Sequence, residues 1–264
     1  MIDISNTKIL IMTVLCVLAG FIDSIAGGGG LVSLTSYYAI GLPPIYALGN
    51  NKFSSTFGTL FAMANYARKK EVIWSAAIIG SVFAIIGSAI GSQLALRFAG
   101  RVFRYVLLFI LPILTFLTLF KPKKKERKST VSVKESENSI KFEIDAKGYI
   151  TIAAAAIAIG VYDGFFGPGT GMFYTIILSS LGFPMIYSCG ITKVINLASN
   201  IAAVTTFILN GNIIYRLGIP CVIASICGNL LGSEFAIKKD TKVIKPMLIL
   251  VIAGLYIRII ADLI

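Results

Sequence analysis

The sequence predicts an all-α, polytopic membrane protein built from two homologous halves. Three observations carry that prediction. Of 264 residues, 56% are hydrophobic and only 14% charged, whereas soluble domains are about a quarter charged. The apolar residues gather into runs close to the ~20 residues a helix needs to cross a bilayer. One unusual stretch also occurs twice: residues 20–30 read GFIDSIAGGGG and residues 160–171 read GVYDGFFGPGTG. Asp23 and Asp163, Gly27 and Gly167, and Gly29 and Gly169 are each 140 positions apart.

The first apolar run, 8–26, ends at Asp23 and four glycines. Lys8 ahead of it imitates a signal peptide, but the same pattern recurs internally, where no signal peptide acts. A run of 31–41 follows and stops at Gly41, Leu42 and Pro43. It is too short to cross a bilayer upright, so the pair reads as a helix, a break and a half-length helix. The third run, 46–67, opens on Gly49, Asn50, Asn51 and Lys52 and ends at Arg68, Lys69 and Lys70. Runs 72–97 and 102–120 complete the half, and the spacing of Gly80, Gly87 and Gly91 suits close helix packing in lipid.

Residues 121–148 are polar and of mixed charge, and read as a mobile cytoplasmic linker. It divides a first membrane repeat, 1–120, from a second, 149–264. The second half runs 149–166, 172–182, 187–209, 213–237 and 243–263. After the break the offset becomes 141: Gly49 matches Gly190, Lys52 matches Lys193, and Gly87 and Gly91 match Gly228 and Gly232. So many matches at a fixed offset mark a duplication. The basic cluster after the third run has the uncharged counterpart Leu209, Asn210 and Gly211, which favours inverted over parallel halves.

Composition excludes several functions. The net charge is +12, but the basic residues flank apolar runs, so the positive-inside effect explains them and nucleic acid is not an expected partner. There is no histidine, and the four cysteines lie in apolar runs without CxxC spacing, so no metal site, cofactor or catalytic group is expected. Gly169, Thr170 and Gly171 lack the Gly-Lys-Ser/Thr that a nucleotide loop requires.

The chemistry falls on intramembrane charge. Each half supplies a carboxylate, Asp23 or Asp163, and a lysine near the start of its third run, Lys52 or Lys193. A charge at the bilayer centre costs about 2.5–3.5 kcal/mol on insertion scales and signals function by default. Asn51, Ser55 and Thr59, and Thr192, Asn196, Ser199 and Asn200, continue polar positions along the third runs. The half-helices begin just after the breaks, so their N–H groups and positive dipole ends, at Gly28, Gly29 and Gly30 and at Gly169, Thr170 and Gly171, form an anion site. Matching discontinuous helices point to a transporter's binding site. Simpler readings stand beside this one. The lysines could snorkel to an interface, the aspartates could be structural partners, and the glycines and polar face could serve helix packing.

At these residues the chain resembles the sulfite exporter TauE/SafE permeases. The paired glycine-rich breaks, the Gly-Leu-Pro and Gly-Phe-Pro turns, and the segments from Gly49 to Lys52 and from Gly190 to Lys193 carry the resemblance. It implies a multi-pass permease of the bacterial inner membrane for sulfite, organosulfonates or other small organic anions. The second copy departs from the first, with Pro168 and Thr170 in place of glycines and Thr192 in place of Asn51.

The sequence reading is therefore a secondary transporter, by resemblance an exporter, of a small anion. Lys52 and Lys193 with the half-helix N-termini hold the anion, and Asn51, Ser55, Thr192, Asn196 and Asn200 orient it. An ion gradient drives transport, and Asp23 or Asp163 balances charge or carries a coupling proton. An anion channel using the same lysines is the alternative, a membrane-embedded enzyme a more distant one, and a homodimer is left open.

Overall fold

The computed structural model describes residues 4–98, 131–136 and 139–238. The expected runs 102–120 and 243–263 lie outside the described residues. The helices are α1 (Asn6–Ala26), α2 (Gly29–Ala39), α3 (Pro44–Arg68), α4 (Trp74–Phe98), α5 (Ala146–Phe165), α6 (Thr170–Leu181), α7 (Met185–Leu209) and α8 (Tyr215–Lys238). Their limits fall within three residues of the apolar runs. Five of them, α1, α4, α5, α7 and α8, are long and apolar enough to cross a membrane. The chain is an all-α polytopic membrane protein.

The third run is less apolar than the sequence reading supposed. With 25 residues, α3 is long enough to span, yet it is not among the five. Its polar side chains, among them Asn50, Asn51, Lys52, Ser54 and Thr59, are buried, and α8 and α7 pack against it. Lipid instead meets Leu10, Val14 and Leu18 of α1, Ile78 and Val82 of α4, and Ile219 and Ile223 of α8, all exposed.

The linker also differs from the expected mobile loop. Its described part is an antiparallel hairpin, β1 (Val131–Ser136) and β2 (Ser139–Ile144), in the register Val131↔Ile144 to Ser136↔Ser139. Val131, Val133, Ile140, Phe142 and Ile144 alternate with polar residues, the period of a strand, which the charge density obscured. Val131 is buried in the core, and the Phe142 ring lies 4.8 Å from Tyr187 and 6.4 Å from Phe183. The hairpin is anchored at the start of α7.

Both short helices fold back along the helix before them. Gly27 closes α1 in the left-handed region at φ 73°, its N–H donating to the Asp23 carbonyl at 2.7 Å. α2 then returns toward the start of α1, where the Lys8 ammonium donates to the Ile40 carbonyl at 2.8 Å. In the second half α6 returns along α5, and the Tyr174 hydroxyl donates to the Ala156 carbonyl at 3.3 Å. Pro43 and Pro184 then launch α3 and α7 from nearly the same backbone angles, φ −58° and −56°. Each fixed φ suits a helix start, and Pro44 follows at the first helical position.

The sequence halves do not pack as separate bodies. α8 packs along α1 and α3, while α4 packs along α5 and α7. Small residues allow it: a Cβ on Gly228 or Gly232 would overlap the α1 backbone at Val17 and Phe21, and one on Gly87 or Gly91 would overlap the α5 backbone near Ile157 and Val161. Two groups result, α1–α3 with α8 and α4 with α5–α7. Two apolar cores, one around Leu34, Tyr37, Leu48, Ala203 and Phe207, the other around Ile25, Tyr66, Ala84, Ile152 and Ile195, each take residues from both groups and so join them.

Candidate functional site

Where the two groups meet, the breaks lie back to back. A Cβ on Gly27 would overlap the Gly171 backbone, and one on Gly171 would lie 2.6 Å from the Gly27 Cα. Only glycines permit that approach. The N-caps of α2 and α6, Gly28 and Gly169, supply no side-chain cap. The first-turn N–H groups of each short helix therefore begin at this junction without a side-chain acceptor. Thr170 is turned onto its own loop, its hydroxyl donating to the Gly167 carbonyl at 2.6 Å. Gly29 is pressed against the α1 backbone at Ala19, whereas Gly30 faces Pro168 at an ordinary van der Waals distance.

α3 and α7 run antiparallel through the junction. The Glu71 carbonyl after α3 abuts Gly190 near the start of α7, and the Asn212 carbonyl after α7 abuts Gly49 near the start of α3. Lys52 and Lys193 each lie eight residues beyond the first residue of a 25-residue helix. At 1.5 Å per residue each is about 6 Å from its helix midpoint, on opposite sides of the middle. This depth argues against simple snorkelling, and both side chains are 2% exposed.

Each lysine pairs with the carboxylate of the other half. Lys52 Nζ is 2.7 Å from Asp163 Oδ1, and Lys193 Nζ is 2.6 Å from Asp23 Oδ2. Lys52 also donates to Asn200 Oδ1 at 2.8 Å and sits against the Gly167 break. Lys193 donates to the Asp23 carbonyl at 2.5 Å, at the end of α1. The Ser199 hydroxyl donates to Asp163 Oδ2 at 2.7 Å, and Asn200 Nδ2 reaches Asn196 Oδ1 at 3.4 Å. Pairing within the protein is what lets four charges stay in the middle of a membrane.

The structure thus brings Lys52, Asp163, Asn196 and Asn200 into one network and Lys193 and Asp23 into another. Asn51 and Thr192 do something else: each ties its helix to the neighbouring short one, Asn51 Oδ1 accepting from Ser33 at 2.5 Å and Thr192 sharing a hydrogen bond with Thr175 at 3.1 Å. Ser55 lies on the wall of a cleft beside Asp23, with Ser225 and Asn229 of α8. Sequence reasoning missed Ser33, Thr175, Ser225 and Asn229, and placed Ser199 on the polar face without giving it a role in the site. Their signal was a small polar residue recurring inside an apolar run. Among the described residues no group of three or more His, Cys, Asp or Glu side chains could hold a metal ion.

Buried charge pairs at facing helix breaks within apolar helices define a polytopic α-helical membrane protein whose polar centre is enclosed by its own halves. Comparison with known proteins gives the family. The Sulfite exporter TauE/SafE family matches residues 12–259, and the chain belongs to it. It is 32% identical over 261 residues to a "Probable membrane transporter protein ORF9" of Sinorhizobium sp, covering 98% of this chain and 95% of the relative. It is 32% identical over 255 residues to a "Probable membrane transporter protein" of Haemophilus influenzae, covering 94% and 92%. It is 31% identical over 246 residues to "Probable membrane transporter protein YfcA" of Escherichia coli, covering 93% and 87%. No solved structure matches the chain. With relatives so named and five apolar helices, this is a multi-pass bacterial membrane protein of a transporter family.

Proposed function

We propose that this protein is a secondary transporter, an exporter, of a small anion of the sulfite or organosulfonate class, driven by an ion gradient. The observation that carries the reading is the pair of crossed Lys–Asp bridges at two facing helix breaks. Each ammonium is neutralised at rest by a carboxylate, so it can exchange that partner for a substrate anion without a bare charge appearing in the membrane. The glycine-capped starts of α2 and α6 add N–H groups and positive dipole ends for the anion's remaining oxygens. Asn200 accepts from Lys52 and is held by Asn196, so the two amides orient the lysine that takes the anion. Asn51 and Thr192 act by fixing the short helices.

The halves are inverted repeats in this reading. Reciprocal contacts support it: Lys52 with Asp163 and Lys193 with Asp23, Glu71 on Gly190 and Asn212 on Gly49, Gly228 on α1 and Gly87 on α5. Alternating access would then move the interlocked groups, α1–α3 with α8 against α4–α7, rather than the sequence halves. Orientation follows from charge. Arg68, Lys69, Lys70, Lys134, Lys141, Lys147 and Lys238 belong to the end that carries the hairpin, while Lys8, Arg97 and Arg216 belong to the other. The hairpin end is cytoplasmic by the positive-inside rule.

The test is uptake of radiolabelled sulfite and simple sulfonates into proteoliposomes with an imposed Na+ or proton gradient, for wild type, Lys52→Ala and Lys193→Ala. Uphill accumulation by wild type, lost in both folded variants, is expected. Uptake that never exceeds equilibrium would make the protein a channel. Undiminished uptake by both variants would remove the lysines from the site.

A further inference from the structure

The two charge pairs correspond by repeat, yet their surroundings do not. Both oxygens of Asp163 are occupied, Oδ1 by Lys52 and Oδ2 by the Ser199 hydroxyl. Asp23 gives Oδ2 to Lys193, and Oδ1 has no hydrogen-bond partner among the described residues. The cause lies in the sequence. Gly58 of α3 stands at the position that Ser199 holds in α7, so no hydroxyl reaches Asp23 from there. In its place is a cleft of about 10 Å³ whose wall includes Asp23, Ser33, Ser54, Ser55, Ser225 and Asn229. That volume is roughly the room needed by one water-sized sphere. At the matching positions of the second half, Ser54 is replaced by Ile195 and Ser225 by Ala84, and both replacements are buried in an apolar core.

The cleft presents oxygen lone pairs. Ser33 spends its proton on Asn51 Oδ1 or the Gly29 carbonyl, and Ser54 on the Asn50 carbonyl. The Asn229 amide donates to the Ser225 carbonyl at 2.9 Å and to the Ser225 hydroxyl oxygen at 3.3 Å. One turn along α3 from Ser55, the Thr59 hydroxyl is fully buried without a partner among the described residues. A carboxylate oxygen and hydroxyl oxygens with their protons directed elsewhere need positive charge. Hard oxygen donors select a hard cation. The cleft is too small for the waters that Mg2+ keeps, and a single carboxylate shared with a lysine cannot balance a divalent ion.

We propose that this cleft is a Na+ site, with Asp23 as its anionic ligand and the serine hydroxyls as neutral ones; Asn229, whose Oδ1 accepts from Ser24 at 2.7 Å, orients Ser225 through its amide. Na+ there competes with Lys193 for Asp23. On the transport reading above, which this second step rests on, the lysine so released takes the anion, and this exchange couples the two fluxes. Asp163, closed by Lys52 and Ser199, binds no ion and ties the two groups together.

The experiment needs no anion. Thermal unfolding of the purified protein in detergent is followed as Na+ replaces choline at constant ionic strength, for wild type, Asp23→Asn, Ser225→Ala, Ser199→Ala and Lys193→Ala. Wild type should gain a saturable, Na+-dependent rise in midpoint. Ser225→Ala, which copies the second half's Ala84, and Asp23→Asn should weaken the apparent affinity at least tenfold. Ser199→Ala should leave it unchanged, and Lys193→Ala, which removes the competitor, should tighten it severalfold. A wild type indifferent to Na+, or a response that survives both Asp23→Asn and Ser225→Ala, overturns the site. A pH response through Asp23 in Na+-free buffer, with Na+ inert, overturns it in favour of a proton; Lys193 on α7, Lys52 and Tyr66 on α3 and Cys16 on α1 are the titratable groups around that carboxylate. Because no anion is present, a failed sodium site and a failed transport reading give separate results.

Discussion

The Lys52–Asp163 bridge offers the sharpest test of how the two halves are held together. Lys52→Met would leave the Asp163 carboxylate 2% exposed, with Ser199 as its remaining donor. Removing one partner of a buried pair costs about 3–5 kcal/mol, because the other charge is left uncompensated. Asp163→Leu should cost a similar amount by stranding the ammonium. The double variant exchanges both charges for apolar groups of comparable volume, which is often close to neutral. It leaves Asn200 Oδ1 without its donor, a loss of about 1–3 kcal/mol. The double variant should therefore be more stable than either single one. The coupling energy from equilibrium unfolding in mixed micelles should exceed about 3 kcal/mol, the lower cost of one stranded charge. If the single losses simply add, the bridge is not what joins the groups, and the reasoning from burial is wrong. Transport should not recover with stability: a stable but inactive double variant separates the structural role of the pair from its role in anion exchange.

Further predictions follow the same logic. Gly27→Ala places a Cβ at φ 73° and against the Gly171 backbone, so it should destabilise the protein by more than the ~1 kcal/mol that an incompatible backbone angle alone costs, measured by thermal unfolding. Glu71 lies in the loop between α3 and α4, where burial pushes its carboxyl above the ordinary 4.5. The folded state then holds that proton more tightly than the unfolded one, so this residue's contribution to stability is greatest below pH 4.5 and falls as pH rises through the folded pKa. Glu71→Gln should flatten that fall and raise the neutral-pH midpoint; a parallel pH profile would refute it. Orientation can be read by cysteine labelling of intact cells in a background without native cysteines: Lys69→Cys should resist a membrane-impermeant maleimide and Asn6→Cys should react, and the reverse pattern would invert the assigned topology.

Much of the fold was legible because its signals are local. Hydrophobic runs fixed helix limits to within three residues, glycine and proline marked the breaks, and the Gly87, Gly91, Gly228 and Gly232 spacing announced close packing that the structure contains. The hairpin was missed although its period-two pattern was present, because mixed charge outweighed five alternating apolar residues. The polarity of α3 was underweighted for the converse reason: an apolar run tolerates polar residues when neighbouring helices, rather than lipid, cover them.

Sequence by itself determined that two carboxylates and two lysines lie inside membrane-length helices, each near a break, in duplicate. It did not determine who pairs with whom. Asp23 and Lys193 are 170 positions apart, and a repeat offset says only that both halves have such residues, not that each lysine crosses to the other half's aspartate. Tertiary structure decided that crossing, the exchange of α4 and α8 between the halves, and the difference between a sealed Asp163 and an Asp23 beside an open cleft. These depend on which backbones approach closely enough to bury a charge. That is settled by packing between distant segments, where one glycine in place of a serine, Gly58 against Ser199, changes what a carboxylate can bind.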